Sequence, residues 1–266
     1  MKTTAPLRAF PFLPLLSLRF VSMWRRNFLV WKKLAPTRLL GNLADPMLYM
    51  LGLGYGLGSL LPQVGGVPYI TFLAAGTVCF STMNSATFEA LYGAFSRLQQ
   101  QRTWDAILNT PMNLDDIMLA EAVWAASLSF VSGMAILVVA WLLGLVTSPL
   151  ALWVIPLIFL TGLCFACMGM VMTVLAPGYD FFMYYFTLVV TPMTLLCGVF
   201  FPVSQLPDFL QFISGLLPLT HAIAIARPLF IGQVPDAILI HLLVLVGYGV
   251  TGVCVAVVLG RRRLLK

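Results

Sequence analysis

The stretch Arg97–Pro111 reads RLQQQRTWDAILNTP and stands between two runs, roughly 69–93 and 117–145, that are apolar enough to live in lipid. Only 9% of the 266 residues are charged, 61% are hydrophobic, and the mean hydropathy is +0.98. A soluble domain carries about a quarter charged residues. This much apolar side chain exceeds what one water-facing fold buries, so the bilayer must be part of the solvent. In such a chain the polar interruption is the anomaly, and it fixes how the apolar runs on either side are divided.

A spanning helix needs about 20 apolar residues. Working outward from Arg97–Pro111, six stretches qualify: 39–61, 69–93, 117–145, 150–175, 181–201 and 237–260. The expectation is an all-α integral membrane protein, with residues 1–266 forming a single transmembrane domain. The segment 203–234 differs, because Pro207, Pro218, Pro228 and isolated polar residues interrupt it. Two short helices with a turn, dipping back into the outer leaflet, suit it better than a seventh span.

With six spans and an inside N-terminus, every basic residue except Arg227 falls on the cytoplasmic side. The positive-inside rule predicts that asymmetry. The net charge of +6 thus reports topology, and no nucleic-acid partner is needed to explain it. Pro6, Pro11 and Pro14 break any apolar signal-peptide core. Over 15–33, Phe20, Trp24, Phe28 and Trp31 share one helical face, and Arg19, Ser22, Arg26 and Lys33 the other. That pattern predicts an N-terminal amphipathic helix in the cytoplasmic headgroup layer.

The run GLGYGLG (Gly52–Gly58) is no nucleotide loop, since no lysine follows it. The chain's lysines, at 2, 32, 33 and 266, all lie outside Gly-rich loops. Gly52/Gly56 and Gly54/Gly58 instead have the four-residue spacing of close helix contacts in lipid. Cys164 and Cys167 have CxxC spacing without polar neighbours and read as small apolar helix residues; a metal site is not expected. His221 and His241 stand alone in apolar surroundings, so catalysis has no visible acid–base pair. Asp45, Glu89 and Glu121 lie at the edges of spans, where a charge needs protein or water beside it. Pairing of Glu89 and Glu121 with Arg97 or Arg102 is weighed against a proton relay.

Within the opening stretch, Thr103 is placed to cap a short helix, Trp104, Ile107 and Leu108 form an apolar stripe, and Thr110-Pro111 stop it. A small loop offers that stripe nothing of its own to bury against. Asp105, Asp115 and Asp116 disfavour an acidic headgroup surface, so docking to another protein is expected. In DFFMYYF (Asp180–Phe186) an interfacial aromatic belt explains part of the cluster. Helical spacing carries Tyr185 and Phe186 deeper, towards a possible substrate contact.

The stretch FEALYGAFSRLQQQRTWDAILNTPMNLDDIMLAE resembles the coupling region of type-2 ABC exporter permeases. CGVFFPVSQLPDFLQFISGLLPLTHAIAIARPLF resembles their pattern between spans five and six. RRNFLVWKK, GLGYGLG, GVPYITFLAAG and LAPGYDFF extend the match, most closely to the branch that exports lipo-oligosaccharides. The resemblance implies a multi-pass permease of the bacterial inner membrane with both termini cytoplasmic. It implies a partnership with a second copy and with two separate ATPase subunits, which bind ATP and Mg; this chain needs no cofactor itself. It places a coupling helix at about Arg102–Asn109, within 97–112, using Arg102, Thr103, Trp104, Asp105, Ile107 and Leu108. It lines a path with Glu89, Tyr185, Thr187, Phe200 and Phe201, and makes the cargo an amphiphilic lipo-oligosaccharide, drug, lipid or polysaccharide. The competing transport class is a proton-coupled carrier using Asp45 or Glu89.

Overall fold

A computed structural model describes residues 17–33, 35–61 and 63–264, without the side chains at 36–40, 42, 43 and 45. The stretch holding Pro6, Pro11 and Pro14, and the Asp45 side chain, therefore lie outside the described residues. The helices are α1 (Phe20–Lys32), α2 (Ala35–Leu60), α3 (Tyr69–Phe88), α4 (Thr103–Leu108), α5 (Leu114–Leu142) and α6 (Val154–Leu175). They continue with α7 (Asp180–Tyr185), α8 (Thr191–Leu196), α9 (Asp208–Leu216), α10 (Pro218–Phe230) and α11 (Ile238–Leu264). Between α2 and α3 a two-residue hairpin, β1 (Gln63–Val64) and β2 (Val67–Pro68), turns on Gly65 and Gly66. Both turn glycines sit at positive φ, 61° and 80°, as a tight hairpin turn requires.

By length and composition, three segments are fit to cross a bilayer: Leu114–Leu142, Pro149–Leu175 and Ile238–Leu264. The bent α9–α10 pair would make a fourth if counted as one span. The coarse expectation of a helical membrane protein holds, while three of the six expected spans are less apolar or shorter. α2 has 26 residues and α3 has 20, long enough at 1.5 Å per residue but rich in glycine and hydroxyl side chains. The segment Asp180–Leu196 is short. α9 and α10 meet at 90°, with Pro218 in the first turn of α10, so the two-short-helix expectation matches the backbone.

α3 is the hub, packed by α2, α5, α6 and α10. Two of its buried hydroxyls bond along the helix, while Ser81 Oγ and Thr87 Oγ1 have no partner among the described residues. Thr77 Oγ1–H donates to Leu73 O and Thr82 Oγ1–H to Val78 O, each at 2.8 Å. Across to α5, Ser132 Oγ–H donates to Ser85 Oγ at 3.1 Å. Small residues let the backbone approach closely: a Cβ on Gly76 would lie 2.7 Å from Val199 O in the turn after α8, and one on Gly252 in α11 3.0 Å from the Cys167 backbone in α6. In GLGYGLG the stripes divide. Gly54 seats α2 against Ile70, whereas Gly52 and Gly56 face open space.

α1 lies along α5. Trp24 Nε1–H donates to Ser127 Oγ at 3.0 Å, and the Trp31 and Trp124 rings meet edge-on at 6.3 Å. Part of the aromatic face assigned to the headgroup layer is thus turned onto the chain itself. Val21, Phe28, Leu29 and Val30 remain outward. α11 packs on α6 with one face and shows on another a stripe of exposed Leu239, Leu243, Val246 and Val250.

The tight α6–α11 contact generates a prediction. Gly252→Val overpacks it and should cost about 1–3 kcal/mol, lowering the thermal midpoint of the purified protein. Gly247→Ala, with nothing within 4 Å of the added Cβ, should leave that midpoint unchanged.

Candidate functional site

The polar interruption folds back onto the helix bundle. Past α3 the backbone widens into two π turns, Glu89–Gly93 and Ser96–Gln100, a local form often found at functional sites. Gly93 leaves room there for the Glu89 carboxylate, which a Cβ at that position would displace. In the first π turn the Ala90 carbonyl accepts Thr173 Oγ1–H from α6 at 2.5 Å. Arg102 then adopts a left-handed conformation, φ +47°, and swings the chain into α4.

Arg97 is shared by two carboxylates. Its Nε donates to both Glu121 oxygens at 2.8 and 3.0 Å, and its Nη2 to Glu121 Oε2 at 2.6 Å and Glu89 Oε1 at 2.9 Å. Side-chain exposures are 12% for Arg97, 12% for Glu89 and 0% for Glu121. Two carboxylates outnumber one guanidinium, and neutral donors meet the excess. Trp104 Nε1–H reaches Glu121 Oε1 at 3.1 Å, Trp124 Nε1–H reaches Glu89 Oε1 at 3.0 Å, and Asn27 Nδ2–H reaches Glu121 Oε2 at 3.4 Å. Such charge-assisted bonds are roughly twice as strong as neutral ones. The cluster joins α1, both π turns, α4 and α5.

Two sequence expectations are corrected here. Thr103 is the first residue of α4 and not its cap; Arg102 holds the cap position without a side-chain bond to the helix. Trp104 is fully buried in its own chain, where the expectation gave it to a partner's groove. The physical reason is Glu121, whose carboxylate needs the indole N–H. α4 turns Asp105 and Ala106 outward, with Arg102 and Asn109 exposed at its ends and Thr103, Ile107 and Leu108 half-buried. Of the two arginines considered as carboxylate partners, Arg97 takes the role.

Asp115 and Asp116, counted as exposed acids of the loop, are buried in the first turn of α5. Arg261 Nε donates to Asp115 Oδ1 at 2.9 Å. The Ser17 backbone N–H and hydroxyl donate to the two Asp116 oxygens, each at 2.8 Å. Arg263 Nη1 donates to Ala176 O at 2.8 Å and also to Val174 O, closing the end of α6. Asp105 alone of those three acids faces outward.

The other expected path residues do not gather at one place. Tyr185 is buried, Thr187 is exposed, and Phe200 and Phe201 are half-buried. Phe200 lies far from Glu89, where its carbonyl accepts Tyr69 O–H at 3.1 Å and its ring faces Tyr49 at 6.0 Å. In DFFMYYF, Phe182 is fully buried, 5.3 Å from the Tyr92 ring and 5.0 Å from that of Phe95. Most of that cluster is core packing. The histidines taken as solitary are partners: His221 Nδ1 and His241 Nδ1 are 2.7 Å apart. The cysteines at 164 and 167 are buried free thiols.

Beside the cluster a cavity of about 410 Å³ opens between α1, α2, the π turns and α5, lined by Trp31, Phe88, Glu89, Tyr92, Ser96, Arg97 and Gln101 among others. Sequence spacing gave Glu89 and Arg97 but not this cavity, because Trp31 is brought in by the packing of α1.

Residues 19–231 match the family described as ABC-2 type transporter. Nodulation protein J of Bradyrhizobium diazoefficiens is 48% identical over 254 residues, 96% of this chain and 97% of that protein. Nodulation protein J of Neorhizobium galegae is 50% identical over 257 residues, 94% of this chain and 95% of that protein. The inner membrane transport permease YadH of Escherichia coli is 26% identical over 213 residues, 79% of this chain and 82% of that protein. No solved structure matches the chain.

Removing one partner of a buried ion cluster strands the others, at about 3–5 kcal/mol. Arg97→Ala should therefore lower the thermal midpoint and membrane abundance sharply. Arg102→Ala, at an exposed position, should leave both near wild type in the same melting assay.

Proposed function

Because this chain belongs to the ABC-2 type transporter family, we propose that it is the permease subunit of an ATP-driven exporter of a lipo-oligosaccharide or related amphiphilic glycolipid. The observation that carries the mechanism is the bond from Trp104 in α4 to Glu121 in α5, which is itself clamped to Arg97 and through it to Glu89. A short exposed helix tied by a charged cluster to two long helices is a lever. A force on Asp105 or Ala106 reaches α3 and α5 with little intervening soft structure. Likeness to the nodulation J proteins supports the choice of cargo, and likeness to an inner membrane transport permease supports the compartment.

In this proposal six spans cross the bacterial inner membrane. α2, α3, α5, α6, the segment 180–201 and α11 cross, α9–α10 re-enter from outside, and both termini are cytoplasmic. Two copies of the chain pair with two ATPase subunits, which bind the ATP and Mg. The segment 97–112 docks on the ATPase through Arg102, Thr103, Asp105 and the exposed edges of Ile107 and Leu108. Trp104 transmits the force from inside. Both carboxylates near the inner boundary are already engaged by Arg97, which supports transmission over proton relay.

Two predictions follow from this placement. Asp105→Lys or Ala106→Arg should weaken ATPase association at least tenfold while leaving permease abundance unchanged, read by co-purification at matched membrane levels. Retention of the ATPase and of transport by both variants would remove the coupling role of α4. Reporter fusions after Ser148 and Gln205 should read outside, and fusions after Arg97 and Pro177 inside. An inside signal at Gln205 would break the six-span proposal.

A further inference from the structure

The cavity beside the charged cluster has hydrogen-bonding capacity that the described residues leave unspent. Glu89 Oε1 accepts from Arg97 and Trp124, while Glu89 Oε2 makes no hydrogen bond to any described residue. Arg97 spends Nε and Nη2 on the carboxylates, and its Nη1 makes none among the described residues. Both residues line the cavity, which thus offers a carboxylate acceptor and a guanidinium donor. A hydroxyl group satisfies both at once, because it donates to the carboxylate and accepts from the guanidinium.

The walls add a second, independent feature. Trp31, Phe88 and Tyr92 line the cavity, with the Phe88 and Tyr92 rings 4.6 Å apart and Trp31 braced edge-on by Trp124 at 6.3 Å. Aromatic faces cover apolar faces of a ligand and leave its hydroxyls to the polar rim, where Gln101 and Ser96 sit. At about 410 Å³ the space falls in the usual range for small-ligand sites, about 300–1,000 Å³. Two carboxylates against one guanidinium disfavour an anion such as a phosphate headgroup.

We propose that this cavity receives the neutral sugar head of the exported amphiphile, with Glu89 and Arg97 bonding a ring hydroxyl and Trp31 and Tyr92 covering the ring. The site rests on the export reading above. It makes the cluster bifunctional: the same Glu89–Arg97–Glu121 group that fixes α4 also touches the cargo. Head occupancy and α4 position are thereby linked through one guanidinium.

The test uses the permease–ATPase complex in nanodiscs, titrated calorimetrically with neutral glucose-based and N-acetylglucosamine-based tetrasaccharides. Trp31→Leu and Glu89→Gln should each weaken binding at least tenfold. Glutamine retains one carbonyl oxygen for Arg97 and Trp124 while replacing Oε2 with a donor. Trp153→Leu, just before α6 and outside the cavity lining, should bind as wild type. If Glu89→Gln accumulates poorly, Trp31→Leu with Gln101→Ala at the rim carries the measurement. Wild-type affinity in Trp31→Leu and Gln101→Ala overturns the site, and so does preference for a glucosamine tetramer bearing free amines over the neutral sugars. ATP-driven transport of a fluorescent acylated tetrasaccharide into proteoliposomes is read in parallel. Transport with unaltered sugar binding in the variants removes the site and leaves the export reading. Sugar binding lost in the variants without any wild-type transport removes the export reading and leaves the site. Absence of both binding and transport in the wild type removes both.

Discussion

One guanidinium held between two carboxylates fixes how α4 sits against the long helices. Arg97 fixes Glu121 and Glu89, and those carboxylates in turn collect Trp104, Trp124 and Asn27. Five segments, α1, the two π turns, α4 and α5, are thereby joined at one point. Burying such charges carries a desolvation cost of several kcal/mol per ion, and an apolar replacement of the same shape is often as stable. The cluster is therefore better understood as a device that specifies geometry than as a source of stability. α4 shows why specification is needed: six residues, entered through a left-handed arginine, cannot hold a fixed orientation by propensity alone.

The two ends of the molecule treat charge differently. At the end that holds α4, several arginines meet carboxylates or carbonyls, as in Arg261 with Asp115 and Arg263 with the last turn of α6. At the other end Arg227 has aromatic and backbone partners. Its guanidinium carbon sits 3.5 Å over the Phe72 ring, and its Nη2 donates to Gly198 O at 2.6 Å. Gly198 stands at φ +78°, so the chain turns its carbonyl towards the arginine at a position where a side chain would be strained. Between the ends, cohesion comes from small residues and hydroxyls, since apolar helices in lipid gain little from hydrophobic association with each other.

Much of this was legible in the sequence because it rests on local pattern. The long helices, the amphipathic N-terminal helix and the proline-broken pair α9–α10 each have a signature within one segment. The orientation of Trp104 was not legible, since its partner Glu121 lies on a different helix and a stripe of three apolar residues fits a partner or the chain itself equally well. The same limit hid the pairing of His221 with His241 and the burial of Asp115 and Asp116. The hairpin at Gly65–Gly66 is different, since two glycines between valines are a local turn signal. The π turns have no general sequence mark, although Gly93, four residues after Glu89, makes room for the carboxylate.

The central claim is that the charged cluster carries force from α4 to the long helices. The direct measurement replaces the whole cluster by apolar residues of similar size, Arg97→Met with Glu89→Leu and Glu121→Leu, so that no charge is stranded. ATP hydrolysis and transport are then measured in the same proteoliposomes. The expected result is a folded complex that binds its ATPase and hydrolyses ATP while transport falls at least tenfold. Transport at the wild-type ratio to hydrolysis would contradict the account, because it would show that α4 drives the helices without the cluster.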